Sequence, residues 1–345
     1  MKRRLAFLYI TLFIHIGVWA GNVIDDVRSI NPSTVEVLYA NGKTLTIDFY
    51  DNNIFRLFKD DNGGVLRDPI ADPPAQILVD NPRKPVGRLQ VNKDGAMFSV
   101  STPDVMVVVN ESDGLLRVID TRRDKLILQQ SKEIEFGKNG YVLTWKAVPG
   151  EYFYGGGVQN GRFSHRGESI EIVNTNSWTD GGVSSPAPFY WSTSGYAILC
   201  HTFSPGVYDF CKKDKEAVCI SHNTDYLDIF VMVDSAPEEL LRDYYQLTGN
   251  PVLLPKFGFY EGHLNAYNRD FWKEASDEKR GVLFEDGKYY EESQKDNGGI
   301  KESLNGELEG SYQFSARAVI DRYKKHDMPL GWVLPNDGYA TFSFK

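Results

Sequence analysis

Leu247–Gly262, LTGNPVLLPKFGFYEG, divides the chain into two patterns: strand-like runs precede it, and a strand, a charged segment, a helix and another strand follow it. Gly249 is placed to end the helix before it. Pro251 and Pro255 prevent that helix from resuming and push the residues ahead of them into extended geometry. The run KFGFYEGH then turns abruptly from aromatic to polar. That is the pattern of a buried parallel strand delivering side chains at its carboxyl end, and equally of a linker packed on its aromatics.

Upstream, VEVLYA and KTLTIDFY flank Asn41-Gly42, the pairing expected of a β-hairpin. IFRLF follows the Asp51-Asn52-Asn53 turn. A proline- and glycine-punctuated stretch from Asp60 to Lys93 lacks periodicity. MFSVST, VMVVVN, LLRVID and KLILQQ then recur between short turns, and APFYWSTSGYAILCHTF, VYDFCK, AVCIS and YLDIFVMVD continue the series. Strands at this spacing predict a large antiparallel sandwich over residues 21–250. Ser235-Ala236-Pro237-Glu238 fits a capping box opening a helix, EELLRDYYQL, that closes at Gly249.

Beyond the junction, residues 273–313 contain 11 acidic and 6 basic side chains and read as a solvated insertion. In QFSARAVIDRYKKH, Ala316, Val319, Ile320 and Tyr323 recur at helical spacing. LGWVLP reads as a second buried strand, ending near Asn336, Asp337 and Tyr339. A strand, a helix and a strand in that order begin a parallel βα fold.

The 345 residues have room for roughly two domains. The 19 Tyr, 20 Phe and 6 Trp suit either β-rich cores or stacking against a ligand. Lys2, Arg3 and Arg4 precede the apolar run LAFLYITLFIHIGVWA, which closes on Ala20 before Gly21. The pattern predicts a signal peptide over 1–20 and a secreted or periplasmic protein with no stable membrane insertion after cleavage; a membrane anchor is the competing reading, against which the run is short. Removing those three basic residues takes the formal charge from −9 to −12. With no basic face in the remainder, nucleic acid is excluded as an expected partner.

Cys200, Cys211 and Cys219 form no disulfide framework and no metal-ligand spacing. Cys211 with Cys219 is the one pair a hairpin would bring together, and buried small hydrophobes are the alternative. Tyr152–Phe163, YFYGGGVQNGRF, has three glycines after a strand, which allow close backbone approach; no Gly-Lys-Ser/Thr follows, so a nucleotide loop is not expected. Neither a cofactor nor a metal is expected. Asn174–Pro188, NTNSWTDGGVSSPAP, is a long polar loop of the kind that carries function.

Four stretches, YFYGGGVQNGRF, APFYWSTSGYAILCHT, YYQLTGNPVLLPKFGF and VIDRYKKHDMPLGWVLPNDGY, resemble in order the retaining α-glycosidases of glycoside hydrolase family 31. The resemblance implies a mainly β fold: a galactose-mutarotase-like β-sandwich followed by the opening of a (β/α)8 barrel over 251–345. It also implies an α-linked oligo- or polysaccharide as substrate. The family mechanism uses an aspartate nucleophile and a second carboxyl group as acid, then base.

Those two carboxylates lie on later barrel strands in the family and are assigned to no residue here. The 95 residues from Pro251 to Lys345 are expected to be an incomplete barrel without hydrolase activity of its own. The positions that carry over are substrate-binding ones. Asp337 corresponds to an aspartate that accepts hydrogen bonds from sugar hydroxyls, with Asn336 the alternative in register and an Asp-Gly turn the bland reading. Trp178 and Asp180 lie in the loop expected to reach over the barrel mouth, where Trp178 stacks a sugar or packs within its own loop. Glu261, His263 and Asn265 follow the first barrel strand. Two rivals belong to other classes: a non-catalytic carbohydrate-binding protein, and a sugar mutarotase, which needs a His and Glu pair that neither His201 nor His222 has in an evident motif.

Overall fold

A computed structural model describes residues 23–175, 177, 179–264, 271–276, 278–279, 281–283, 287–293, 300–301 and 323–335. It divides into two compact units, one ending at Asn250 and one beginning at Pro251.

The first unit opens with β1 (Ile24–Asn31), β2 (Thr34–Tyr39), β3 (Thr44–Phe49) and β4 (Ile54–Asp60). β5 (Gln90–Asp94), β6 (Met97–Ser101), β7 (Val105–Asn110), β8 (Leu116–Asp120) and β9 (Lys125–Gln129) form a five-stranded antiparallel meander. Next come β10 (Glu135–Gly137), β11 (Gly140–Lys146), β12 (Phe153–Gln159), β13 (Glu168–Ile172), β14 (Val183–Ser192), β15 (Tyr196–Cys200), β16 (Gly206–Phe210), β17 (Ala217–His222) and β18 (Tyr226–Val233). They complete an eight-stranded sheet ordered β1-β2-β3-β4-β18-β15-β14-β12 and a five-stranded sheet ordered β10-β11-β17-β16-β13.

The three sheets bury one common core. It takes Val35, Ile47, Phe55, Ile198 and Val231 from the large sheet, Val107 and Val118 from the meander, and Leu143, Tyr208 and Ile220 from the third. The period-two patterns of β2, β6, β7 and β8 alternate between buried and half-buried positions, as a sheet with one core face requires. The eleven largest fully buried side chains are all aromatic, with Trp145, Tyr141 and Tyr190 among them. Much of the aromatic content is therefore core, as β-sheet packing favours.

β4 and β18 are buried on both faces. Their outer face, with that of β15, carries Ile54, Ala197, Leu199, Phe230 and Met232. Helix α1 (Pro237–Thr248) covers it through Leu240 and Leu247, helped by Ile77 and Leu78.

Several local expectations change. β1 precedes the first strand anticipated from the sequence and pairs with β2 through an irregular register. The three glycines lie within β12 rather than after a strand: Gly155, Gly156 and Gly157 have φ of 121°, 77° and 79°. A Cβ at Gly155 would sit 2.6 Å from the Phe189 carbonyl oxygen, so glycine here permits a close backbone approach to β14. Val183–Pro188 belongs to β14, which shortens the polar loop to 174–182.

The capping box does not form, because Pro237 opens the helix and moves the N-cap to Ala236, which has no side chain to offer. Gly249 ends α1 with φ 91° and ψ 157°, its N–H donating to Tyr245 O. Cys200, Cys211 and Cys219 are all free thiols. Cys200 and Cys211 are buried, and Cys219 is half-buried with its sulfur 3.7 Å from Thr144 Oγ1.

In the second unit, Lys256–Phe259 is one 3-10 turn and not a buried strand; Phe257 and Phe259 are exposed. Pro255 presets the turn, and the strand starts only at β19 (Glu261–Leu264). The acidic segment is not structureless. β20 (Phe271–Glu274), β21 (Val282–Leu283), β22 (Tyr289–Ser293) and β23 (Ile300–Lys301) form an antiparallel sheet that buries Trp272 and Tyr290. Of the expected helix over 313–326, residues 313–322 lie outside the described residues and Tyr323–Lys325 are helical. β24 (Leu330–Pro335) pairs in parallel with β19.

α1 sets up a titration with a definite sign. Asp243 accepts from Asn53 Nδ2 at 2.7 Å, and burial, reinforced by the charges of Asp234 and Asp51, pushes its pKa from 3.8 up to about 7. A carboxyl group raised in the folded state favours folding at low pH, and its contribution is lost as pH climbs from about 4 through 7. Asp243→Asn should therefore raise Tm by roughly 5 °C at pH 8 and change it little at pH 4. Thermal melts of both proteins across that range check this, and an equal shift at both pH values would refute the assignment.

Candidate functional site

Two of the motifs singled out in the sequence meet in the structure. Asn160, from YFYGGGVQNGRF, donates from Nδ2 to Ser177 O at 2.6 Å and to Ser184 Oγ at 3.3 Å, while its backbone N–H reaches Gly182 O. Gly181 N–H returns a bond to Asn160 O, and Thr175 and Val183 exchange bonds at the loop's base. The polar loop is thus pinned by one asparagine side chain. Asp180 sits at its exposed tip, against Gly161, where a Cβ would lie 3.0 Å from Asp180 Oδ1.

Trp178, Asn265, Asn336 and Asp337 lie outside the described residues. Glu261 and His263 fall within β19 rather than after it, opposite Leu330 and Leu334 of β24, so the expectation that both follow the strand is corrected. The strand begins later than the aromatic run suggested because the 3-10 turn absorbs that run.

A cleft of about 680 Å³, not anticipated from the sequence, opens on the outer face of the large sheet beside the segment 66–83. Its floor is a charged network on two adjacent strands. Arg56 of β4 donates from Nε to Asp228 Oδ1 at 2.7 Å and from Nη2 to Asp228 Oδ2 at 2.6 Å, a two-pronged pair with both side chains almost wholly buried. Burial opposes the guanidinium charge, and hydrogen bonding and attraction from Asp228 more than offset it, so Arg56 stays ionised. Nη1 of Arg56 reaches Tyr50 Oη at 3.3 Å, and Nη2 also donates to Arg67 O at 2.9 Å.

His201, following β15, places Nδ1 3.0 Å from Asp228 Oδ2 and 3.1 Å from Arg56 Nη2. The two Nη2 hydrogens are taken by the shorter bonds to Asp228 and Arg67, which leaves His201 Nδ1 as the donor to Asp228. In the neutral ring Nε2 is then an acceptor. The sequence signal that could have found this network is a charge inside an apolar strand: Arg56 in IFRLF and Asp228 in YLDIFVMV.

His222 differs. It is buried, its Nδ1–H donates to Ser204 O at 2.9 Å, its Nε2 accepts from Tyr208 Oη at 3.0 Å, and burial lowers its pKa to about 4. It is a satisfied structural histidine. Among the described residues, no group of His, Cys, Asp and Glu is arranged to hold a metal.

The first unit is a galactose-mutarotase-like β-sandwich, and comparison with known proteins places that fold in a family context. Residues 44–209 match the glycosyl hydrolase 31 N-terminal galactose mutarotase-like domain. The α-xylosidase of Emericella nidulans is 31% identical over 137 residues, 38% of this chain and 17% of that protein. The α-xylosidase XylQ of Lactiplantibacillus pentosus is 23% identical over 289 residues, 75% of this chain and 36% of that protein. Among solved structures, a Flavobacterium johnsoniae GH31 dextranase complexed with isomaltotriose superposes with TM-score 0.65 at 17% identity, covering 72% of this chain and 31% of that one. A GH31 α-xylosidase from a soil metagenome, complexed with xylose, gives TM-score 0.58 at 18% identity, covering 71% and 38%. Residues 44–209 therefore carry the N-terminal domain of glycoside hydrolase family 31. It spans 17% and 36% of the lengths of these two curated relatives.

The Arg56–Asp228 pair predicts strong non-additivity. Asp228→Asn leaves the buried guanidinium with only the exposed Asp68 carboxylate, at 3.2 Å, and should cost about 3–5 kcal/mol, as should Arg56→Met, which leaves the buried Asp228 carboxylate with His201 alone. The double variant Arg56→Met with Asp228→Asn should be less destabilised than the sum of the two. Denaturant unfolding of all four proteins measures this, and simple additivity would show that the pair is not coupled.

Proposed function

We propose that this chain is the N-terminal part of a secreted α-glycosidase, α-glucosidase-like in preference, which cleaves α-linked oligo- or polysaccharides with retention by the two-carboxylate mechanism. The match of residues 44–209 to the family's N-terminal domain is the observation that carries the reading. The parallel pairing of β19 with β24 supports taking Pro251 onward as the opening strands of a (β/α)8 barrel. No residue of this chain is assigned as nucleophile or acid/base. Asp337, with Asn336 beside it, Trp178, Asp180, Glu261, His263 and Asn265 are proposed to help hold the sugar at the barrel mouth.

The protein isolated from its source is the material on which to test this. p-Nitrophenyl α-glucoside, α-xyloside and α-galactoside should be compared, with the anomer first released followed by NMR. Hydrolysis with retention, fastest on the glucoside, supports the reading; a faster xyloside revises the sugar, and inversion overturns the mechanism. In that same protein Asp337→Asn should lower kcat/KM roughly ten- to a hundred-fold, the effect of losing one charge-assisted hydrogen bond. Unchanged kinetics would remove Asp337 from the sugar shell.

Secretion is proposed from the basic-apolar-small pattern of residues 1–20. Intact-mass spectrometry should find a mature chain starting at or near Gly21 in the extracytoplasmic fraction. A retained Met1 in the cytosol would overturn it.

A further inference from the structure

We propose that the cleft floored by His201 is a second, non-catalytic binding site for a single neutral sugar unit. The inference does not depend on the glycosidase reading, because it rests on what lines the cleft.

The first observation is an unpartnered acceptor. The His201 side chain is 4% exposed, its Nδ1 is committed to Asp228, and Nε2 has no protein partner among the described residues although the ring lines the cleft. An imidazole with one nitrogen held by a buried carboxylate and the other left for a ligand is a preoriented acceptor for a hydroxyl.

The second is charge balance. Each guanidinium at the cleft already has a carboxylate: Arg56 holds Asp228, Arg67 holds Asp60 at 2.9 Å, and Arg83 holds Asp48 at 2.5 Å. An anion would find no uncompensated positive charge. A cation would meet three guanidinium groups, one of which already engages the lining carboxylate of Asp68 at 3.2 Å. What remains suited to the site is a neutral ligand rich in hydroxyls, which can accept from the arginines' remaining hydrogens and donate to Nε2 and to the carboxylates of Asp68 and Asp80.

The third is an apolar wall. Phe203 lines the same cleft at 41% exposure, and a sugar ring has a C–H face that packs on an aromatic ring while its rim hydrogen-bonds. The volume, about 680 Å³, falls within the range of small-molecule sites. Arg83 stacks 3.8 Å above the Tyr50 ring, which together with Asp48 fixes the opposite wall.

The test uses the complete 345-residue chain and ligand-observed NMR with glucose, xylose and methyl α-glucoside, and inorganic phosphate as the anionic control. About millimolar affinity is expected for a ligand of this size. Phe203→Ala alters an exposed side chain, leaves Tm in place, and should weaken binding at least ten-fold. His201→Ala should abolish it, and His201→Gln, which restores an acceptor, should recover part of it. Should His201→Ala fail to fold, Phe203→Ala and His201→Gln still decide the matter.

Asp337→Asn separates this site from the proposed glycosidase site. A sugar signal lost in Asp337→Asn but kept in Phe203→Ala would assign binding elsewhere and overturn the inference. So would no response to neutral sugars at 50-fold above about millimolar concentration, or competition by phosphate.

Discussion

Burial of β4 and β18 on both faces is the constraint from which the rest of this domain follows. A sheet with one wet face can alternate apolar and polar residues, but a central strand pair enclosed on both sides must be apolar throughout or must neutralise whatever polarity it contains. Here the inner face does the first, through Phe55, Leu57, Ile229 and Val231, and the outer face does both. Phe230 and Met232 meet α1, and a few residues along the same surface Arg56 meets Asp228. The two-pronged pair lets a guanidinium and a carboxylate lie within a strand pair without either remaining uncompensated. It also makes the strand pair sensitive to the loss of one partner.

That arrangement explains which features were legible in the sequence. The hairpins and the meander were readable, because β2, β6, β7 and β8 each bury one face and so display period two. The outer cleft was not, because IFRLF and YLDIFVMVD read simply as apolar runs, and periodicity averages over the single charge that matters. Nothing local says that Arg56 and Asp228 lie on adjacent strands: they are 172 positions apart and are joined only by the pairing of β4 with β18. The more general signal was a charged residue at the centre of an otherwise apolar strand.

The misread local features share a cause of a different kind. Proline and glycine override side-chain pattern wherever backbone geometry is the limiting factor. Pro237 shifts the start of α1 by one residue and removes the serine cap, and Pro255 opens a 3-10 turn where the aromatics of KFGF suggested a strand. The triple glycine was placed after a strand, and its reading as a site of close backbone approach holds inside one. In β12 it allows the backbone to press against β14 at a place where any Cβ would collide with a carbonyl oxygen. The same segment continues to Asn160, which reaches across to pin the polar loop, so the motif is better understood as a hinge of packing than as a cradle for a ligand.

The two proposed sugar sites draw on different physics. At the proposed glycosidase site, a carboxylate such as Asp337 would act through its negative charge, which strengthens hydrogen bonds to hydroxyls as a sugar approaches the transition state, so its effect would belong in kcat/KM. In the His201 cleft each guanidinium is already matched by a carboxylate, and what remains is an imidazole nitrogen, an aromatic wall, the Asp68 and Asp80 carboxylates and spare guanidinium hydrogens. Such a surface offers a sugar hydrogen bonds and stacking. It can hold a sugar without transforming it. Holding through hydrogen bonds and stacking is what a cleft with its guanidinium groups already engaged can do, and that engagement begins with the pairing of Arg56 and Asp228.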